Sequence, residues 1–358
     1  MRTLISAVLC ILACSNGSAL ETENVILITL DGLRWQELFG GADENLVHRS
    51  QGVGDVVGLA KAYLRDTPKE SREVLMPFFW SVIAKEGTVY GDPDKKSEVH
   101  ITNTQVFSYP GYNEILTGFA DAAITSNAKK YNENVTVLEW LNKKEAYKGK
   151  VAAFGSWDVF PFIINDKRSG IPVNAGWMDL EVHSDDKQKE IINRLQRETP
   201  HFWGGVRWDN YTHQGALEYL KVKKPRVLYI AYGETDDWAH AREFDMYLDA
   251  ALRSDQYIQE IWETAQSMPE YAGKTSLVIT TDHGRGPVRK DWIGHGKDTD
   301  GATRIWAVVM GPDTPAAGSV KGKKHTQSQV AATVAALLGE DYHGAQPKSG
   351  APLAKSIK

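Results

Sequence analysis

The sequence predicts an α/β fold, in which helices cover both faces of one mostly parallel sheet to form a three-layer α/β/α sandwich. Apolar, β-branched runs at residues 25–30, 226–232 and 276–281 are typical of strands buried on both faces. Helical patterns separate these runs, the longest at residues 243–267. Strands that alternate with helices favour a sheet covered by helices on both sides.

Composition agrees with a globular protein. The chain has 358 residues, of which 42% are hydrophobic and 24% are charged. We predict that residues 20–358 form a single domain, which is within the range of α/β folds. The net charge of −5 gives no basic excess, so we expect no dedicated nucleic-acid surface. The sequence carries no signal for an oligomeric state.

The first 19 residues resemble an export signal. Arg2 supplies a positive start, residues 4–13 form a short apolar core, and small residues follow up to position 19. The apolar core is too short to span a bilayer, and no later run has that length. We therefore expect a periplasmic or secreted protein without a transmembrane segment. A lipoprotein signal that anchors the chain through Cys14 is the alternative.

Both cysteines, Cys10 and Cys14, lie inside this segment. The mature chain would then contain no disulfide and no thiolate ligand. Any metal site would have to use Asp, Glu, His or hydroxyl ligands.

Along the chain, the first strand ends at Asp31. A helix is predicted at residues 77–85, with a proline near its start, and a short strand at residues 87–91. Ser108 is predicted to lie at the mouth of a helix over residues 111–116. A short helix and a buried strand follow at residues 137–144 and 150–155.

Residues 156–213 differ in character from their surroundings. They contain four tryptophans, several prolines and glycines, and one polar helix near residues 187–198. We predict an insertion that packs over the sheet edge as a cap on the active-site side. The alternative, that the aromatic residues form a satellite core, stays open.

The last third of the chain contains the remaining strands. The strand at residues 226–232 leads to Asp236, and the strand at residues 276–281 leads to Asp282. A last strand is predicted at residues 304–310 and a closing helix at residues 326–338.

Three strands thus end in acidic residues, namely Asp31, Asp236 and Asp282. One carboxylate at a strand end is often a helix cap. Three carboxylates at one end of a sheet would repel each other and would resist ionisation unless cations were present. Asp and His ligands without Cys fit Zn²⁺ or Mn²⁺.

Histidines accompany these carboxylates at suitable spacings. Asp236 and His240 are one helical turn apart and can face one ion, and His283 directly follows Asp282. His295 lies between two glycines just before the last strand. His325 is the competing histidine, and we favour His295.

In four motifs the sequence resembles the alkaline phosphatase superfamily, nearest its nucleotide pyrophosphatase/phosphodiesterase branch. The resemblance covers most of the chain after residue 19, in order. The motifs are residues 28–32, residues 108–118 with a Ser, an aromatic and a Pro, the D-x-x-x-H pair at 236–240, and residues 282–284 followed by 294–296.

The resemblance implies an alkaline-phosphatase-like fold and two divalent metal ions, Zn²⁺ being the expected one. It assigns Ser108 as the nucleophile and two sets of ligands: Asp31, Ser108, Asp282 and His283 for one ion, and Asp236, His240 and His295 for the other. The implied activity is hydrolysis of a small phosphate ester, either a monoester or a diester. A phosphonate or sulfate-ester hydrolase is the alternative on the same fold, and a catalytically silent binding protein is the alternative of another class.

The chain departs from the superfamily pattern at the nucleophile. Sulfatases need a modified Cys or Ser followed by Pro and then Arg, whereas Tyr112 stands at the Arg position here. We therefore expect no type I sulfatase.

Substrate contacts are also expected. Asn127 lies where the superfamily often places an asparagine that bonds a phosphoryl oxygen, and Tyr109 could stack on a flat group. Arg285 and Lys297 adjoin predicted ligands and could meet a second phosphate charge.

Overall fold

The computed structural model describes residues 20–358, so the export signal predicted for residues 1–19, with its alternative at Cys14, lies outside the described residues. The strands are β1 Asn24–Leu30, β2 Thr88–Tyr90, β3 Glu98–His100, β4 Val151–Gly155, β5 Val173–Ala175, β6 Val227–Tyr232, β7 Thr275–Thr280, β8 Arg304–Ile305, β9 Ala307–Met310, β10 Gly318–Ser319 and β11 Lys324–Thr326.

The α-helices are α1 Trp35–Gly40, α2 Val56–Tyr63, α3 Pro68–Leu75, α4 Ala84–Glu86, α5 Ser108–Thr117, α6 Val137–Asn142, α7 Phe160–Ile164, α8 Asp166–Ser169, α9 Asp186–Glu198, α10 Asp209–Lys223, α11 Glu234–His240, α12 Phe244–Ser267, α13 Val330–Leu337 and α14 Tyr342–Ala345. Among the helices of the described part of the chain, none combines the length and the apolar character needed to cross a bilayer.

One eight-stranded sheet organises the molecule, in the order β10-β2-β9-β7-β1-β6-β4-β5. β9 runs antiparallel to its neighbours β7 and β2, and the other neighbouring pairs are parallel. A small second sheet has the order β11-β3-β8. The prediction of a mostly parallel sheet in an α/β fold is confirmed.

The alternation of side chains along the strands builds two cores, one on each face of the sheet. In β1, Ile26 and Ile28 belong to one core, while Val25 and Leu27 belong to the other. Helices α10 and α12 cover the first face, and α5, α6 and α13 cover the second. Burial on both faces explains why the strands are continuous apolar runs.

The central strands end at the same level. Thr29 of β1 pairs with Thr280 of β7 and with Ala231 of β6. The residues that follow these positions, including Asp31 and Asp282, therefore emerge at one edge of the sheet. The carboxyl edge of a parallel sheet is where α/β proteins place their ligands.

The last predicted strand, at residues 304–310, is two strands in two sheets. β8 pairs with β3 in the small sheet, and β9 pairs with β7 and β2 in the large one. Trp306 lies between them, fully buried, and its indole N–H donates to the carbonyl oxygen of Leu33. Because the apolar run at residues 304–310 is uninterrupted, the sequence alone does not show that it belongs to two sheets.

Residues 156–213, which we predicted to be an insertion, supply two elements of the sandwich itself. β5 is the outer strand and pairs in parallel with β4, and α10 begins at Asp209 and covers the sheet. The prediction is therefore corrected for these two elements. Between them, Trp203 and Trp208 pack against Trp238 of α11, with ring centroids 4.8 and 5.9 Å away. These aromatic residues extend the core on that face of the sheet.

The helix after the predicted nucleophile begins at Ser108 itself and not near residue 111. Glu114 of this helix is buried, and its carboxylate accepts hydrogen bonds from the backbone N–H groups of Thr102 and Asn103. The helix ends at Gly118, which has a φ of +81°. Glu114 thereby fixes the loop that leads into Ser108.

The helix predicted at residues 77–85 is a π-helical turn, Phe79–Ile83, followed by α4. The first backbone N–H groups of this region, those of Phe78 and Phe79, donate to the carboxylate of Asp255 at 2.7 and 2.8 Å. Asp255 is fully buried in α12. A carboxylate from a distant helix therefore caps this turn.

A methyl group at position 111 would test the close approach of α5 to the end of β7. A Cβ there would lie 2.5 Å from the carbonyl oxygen of Asp282, so α5 would have to move away. We expect Gly111→Ala to lower the free energy of unfolding by about 1–3 kcal/mol, measured by urea denaturation. Gly204→Ala is the control, because a Cβ there meets no heavy atom within 4 Å. Equal stability of the two variants would contradict the packing described.

Asp255 should make stability depend on pH. Burial raises the pKa of its carboxyl from 3.8 to about 7, although its two backbone hydrogen bonds lower it. Because the folded-state pKa lies above the unfolded value, the contribution of Asp255 to stability is full below pH 3.8 and is lost as the pH rises towards 7.

The Asp255→Asn variant has no proton to lose at this position. Urea unfolding between pH 4 and 7.5 should therefore show a steeper loss of stability in the natural protein than in the variant. Parallel curves for the two proteins would show that burial at position 255 does not shift the pKa.

Candidate metal centre

The seven predicted ligand residues lie together at the carboxyl edge of the sheet. Asp31 follows β1, Asp282 and His283 follow β7, Asp236 and His240 lie on α11 after β6, Ser108 begins α5, and His295 lies in the loop before β8. Two groups have ligand atoms close enough to hold an ion: Asp31, Asp236 and His283, and Asp236, His240 and His295. Asp236 is within reach of both groups.

His283 is the centre of the first group, and its ring is fully buried. Its Nε2 lies 3.4 Å from Oδ1 of Asp31, 3.5 Å from Oδ2 of Asp282 and 3.6 Å from Oδ1 of Asp236. The hydroxyl oxygen of Ser108 is 3.5 Å from the same nitrogen. Carboxylate, imidazole and hydroxyl groups thus face one small volume.

The second group lies closer to solvent. Nε2 of His240 is 3.3 Å from Oδ2 of Asp236 and 2.9 Å from Nε2 of His295. The side chain of His240 is 47% exposed, against 12% for His295. His325, the competing histidine, is buried on β11 with its ring against Tyr90 and belongs to neither group.

Backbone carbonyl groups orient His283 and His295. Nδ1 of His283 lies 3.1 Å from the carbonyl oxygen of Gly284, and Nδ1 of His295 lies 3.0 Å from that of Val106. A neutral ring that donates from Nδ1 presents the lone pair of Nε2 to the cluster, as a metal ligand must. Val106 has a φ of +58°, a strained conformation for a β-branched residue, and this places its carbonyl oxygen towards His295.

The carboxylates fit bound cations. Oδ2 of Asp31 accepts a hydrogen bond from the Tyr112 hydroxyl at 2.9 Å, and Oδ1 of Asp282 accepts one from the Gly32 N–H at 3.1 Å. The other oxygen of each carboxylate is buried and has no hydrogen-bond partner among residues 20–358. Both of these oxygens face His283. Unpaired buried carboxylate oxygens are costly unless a cation meets them.

The pKa shifts of these groups reflect their burial and the short distances between their charges. Burial, and then the charge of Asp31, raises the pKa of Asp282. Burial by itself would lower the pKa of His283, but Asp282 and Asp31 raise it above its usual value. Burial and the nearby His283 lower the pKa of both His240 and His295, so those two rings are neutral near pH 7. The carboxylates therefore favour positive charge in the first group, and the second group offers neutral imidazoles.

Three residues that hold the ligands in place were missed by the sequence analysis. Tyr112 bonds the Asp31 carboxylate, and the Thr235 hydroxyl donates to the Asp31 carbonyl oxygen at 2.5 Å. The side chain of Gln327 donates to the carbonyl oxygen of Asp282 at 2.7 Å. The position of Tyr112, where sulfatases have Arg, was the one signal in the sequence that pointed to such a role.

Asn127 lies beside the nucleophile. Its side-chain oxygen accepts a hydrogen bond from the backbone N–H of Tyr109 at 3.0 Å, and the residue is exposed. Tyr109 itself is only 4% exposed, and its hydroxyl donates to the carbonyl oxygen of Lys130 at 2.6 Å. The expectation that the Tyr109 ring stacks on a substrate is therefore corrected, because the ring is packed in the core.

Of the two predicted cations, Arg285 differs from expectation, and the role of Lys297 stays a prediction. Arg285 is buried, and its guanidinium contacts the carboxylate of Asp236, so it cannot meet a second phosphate charge. Lys297 is exposed.

The Sulfatase family model matches residues 99–340, which is more than half of the chain and includes Ser108, Asp236, Asp282 and His295. No curated protein matches the chain.

Solved structures share the fold at low sequence identity. Ps i-CgsB in complex with k-i-k-neocarrahexaose is 16% identical, with a TM-score of 0.56 over 92% of this chain and 75% of that one. The lipoteichoic acid synthase LtaP from Listeria monocytogenes is 13% identical, with a TM-score of 0.55 over 91% and 74%. The phosphonate monoester hydrolase SpPMH from Silicibacter pomeroyi is 13% identical, with a TM-score of 0.55 over 93% and 76%.

These findings confirm the α/β fold with its mostly parallel sheet, and the family match covers residues 99–340. The nearer resemblance to the nucleotide pyrophosphatase/phosphodiesterase branch stays a prediction. Membership of the family does not by itself make the chain a type I sulfatase, and the expectation based on Tyr112 that it is not one stays a prediction. The chain belongs to the Sulfatase family.

Proposed function

We propose that this chain hydrolyses phosphate esters with Ser108 as its nucleophile. The observation that carries the proposal is the pair of unpartnered carboxylate oxygens, of Asp31 and Asp282, that face the same volume as the Ser108 hydroxyl. Two divalent ions bound there, Zn²⁺ by the chemistry of the ligands, would lower the pKa of that hydroxyl and offset the charge of the phosphoryl group.

The ligands would divide between two ions as the superfamily resemblance implies. The first ion would be held by Asp31, Ser108, Asp282 and His283, and the second by Asp236, His240 and His295. Asp236 lies within reach of both groups and can support either ion.

Ser108 is placed to attack phosphorus. It is the first residue of the ten-residue helix α5, whose N-terminal end favours a negatively charged group. The Ser108 hydroxyl would give its proton to water, and its Oγ would form a bond to phosphorus while the ester P–O bond breaks. The departing alkoxide would take up a proton from water and leave as the alcohol. Attack by a water molecule would then release phosphate and restore the Ser108 hydroxyl.

Asn127 would contribute to substrate binding. Because its side-chain oxygen accepts from the Tyr109 N–H, its amide nitrogen is left to donate to a phosphoryl oxygen beside Ser108. This is the role that the superfamily resemblance implies for Asn127.

A sulfate ester is the second candidate substrate, favoured by the family match and by structural neighbours that include Ps i-CgsB with its oligosaccharide. Two observations favour phosphate. The cluster contains three histidines, which suit Zn²⁺. Tyr112 stands at the Arg position that follows the modified residue of sulfatases, and it bonds Asp31.

We also propose that the chain is exported. The proposal rests on the charged start and short apolar core of residues 1–19. The mass of the mature N terminus tests it: cleavage after Ala19 leaves Leu20 first, and lipid on Cys14 would support the alternative. An uncleaved Met1 would contradict both.

Removing the nucleophile should abolish turnover without emptying the site. We expect Ser108→Ala to lower kcat on p-nitrophenyl phosphate by at least about 10³-fold, because no other hydroxyl replaces Oγ. Bound metal, measured by plasma mass spectrometry, should remain. Ser267→Ala, an exposed position at the end of α12, is the control. Full activity of Ser108→Ala, or activity that survives complete removal of metal by a chelator, would contradict the mechanism.

Assays of the natural protein distinguish a phosphate ester from a sulfate ester as the substrate. We expect turnover of p-nitrophenyl phosphate or bis-p-nitrophenyl phosphate to exceed that of p-nitrophenyl sulfate, and the peptide containing Ser108 to have its unmodified mass. Preference for the sulfate together with a modified Ser108 would establish the sulfate-ester candidate instead.

A further inference from the structure

Arg285 makes an unusual set of contacts two residues after His283. Its side chain is buried. Its guanidinium donates to three carbonyl oxygens: Nε to Gly32 at 3.2 Å, Nη2 to Asp236 at 3.0 Å and Nη1 to Ile293 at 2.6 Å. Nη2 also contacts the carboxylate of Asp236.

Each acceptor belongs to a different segment that carries candidate ligands. Gly32 directly follows Asp31, and Ile293 lies two residues before His295. Asp236 is itself a candidate ligand and sets the helical turn of His240. With its own segment, which carries His283, Arg285 joins all the ligand-bearing segments of the centre apart from that of Ser108.

We propose that Arg285 is a positioning residue that sets the distance between the two ligand groups and assembles the outer one, Asp236, His240 and His295. The inference rests on the proposed function, because it assumes that both groups hold ions. Arg285 does not touch the substrate in this role, since its guanidinium is buried and its donors are directed to protein oxygens.

Arginine is required by the geometry. Its five N–H donors lie in one plane and can reach three separated carbonyl groups, whereas the single ammonium of lysine cannot. The position of Gly32 agrees, because its φ is +60° and a Cβ there would lie 2.9 Å from Nε of Arg285 and 2.9 Å from Oδ1 of Asp236. The turn after β1 is thus kept free for the guanidinium.

The outer group should depend on Arg285 more than the inner one. Two of its members are tied to the guanidinium, Asp236 directly and His295 through Ile293. Asp282, in the inner group, is held by the Gln327 side chain, which makes no hydrogen bond to Arg285. Loss of Arg285 should therefore weaken one ion site selectively and not the whole centre.

Cobalt titration of the metal-free full chain measures this selectivity. We expect the natural protein to bind two Co²⁺ ions, each with a visible absorption band that reports its coordination. In Arg285→Met the outer ion should bind about 10- to 100-fold more weakly and lose its band, while the inner ion is kept. Arg285→Lys should give an intermediate affinity if charge contributes, and should not restore the band fully.

A matched control removes an equally buried arginine elsewhere. Arg207 is fully buried and donates to Thr212 and Asn174, neither of which is a candidate ligand. Arg207→Met should lower the melting temperature of the metal-free protein but still bind two Co²⁺ ions with unchanged affinities. A merely structural role of Arg285 predicts this same result for Arg285→Met.

Two unchanged Co²⁺ affinities in folded Arg285→Met would overturn the inference and leave the proposed function standing. If the natural protein bound no Co²⁺, that result would instead contradict the proposed metal centre. If Arg285→Met does not fold, Arg285→Lys decides the matter. Selective weakening of the outer ion in Arg285→Lys is expected, and two unchanged affinities in that variant would refute the role.

Discussion

Three acidic side chains share one small volume because β7, β1 and β6 are adjacent, parallel and end at the same level. Asp282, Asp31 and Asp236 follow these strands in turn. Two like charges about 4 Å apart repel each other by about 4 kcal/mol at an effective dielectric constant of about 20. A fold of marginal stability cannot carry several such terms without compensation. The compensation comes from the His283 imidazole, whose pKa is raised, from the guanidinium of Arg285, and from the hydrogen bonds that the Tyr112 hydroxyl and the Gly32 N–H donate to Asp31 and Asp282.

The sheet, the long helix and the proximity of the seven candidate ligands could be predicted because their signals are local. The helix predicted at residues 243–267 is α12, Phe244–Ser267, and the strand predicted at residues 276–281 is β7, Thr275–Thr280. A continuous apolar run reports burial on both faces, and a carboxylate that follows it reports the strand end. The topology of a parallel sheet then brings those ends together without further information.

The contacts that orient the ligands could not be predicted, because they join distant positions. Tyr112 is 81 residues from Asp31, and Arg285 is 253 residues from Gly32. No periodicity or spacing marks such pairs. The predictions that Tyr109 and Arg285 contact the substrate were wrong because both side chains are buried, and the sequence alone does not show this burial. The division of residues 304–310 between two sheets likewise depends on partners elsewhere in the chain.

The two ligand groups differ in their access to solvent, and this gives the centre an inside and an outside. Asp282 and His283 have no exposed side-chain surface, whereas the side chain of His240 is 47% exposed. An ion bound at the outer group would lie between solvent and the inner group. An ion at the inner position, beside Ser108, would therefore exchange with solvent more slowly than an ion at the outer position. The two ions of one centre would differ in how quickly a chelator removes them.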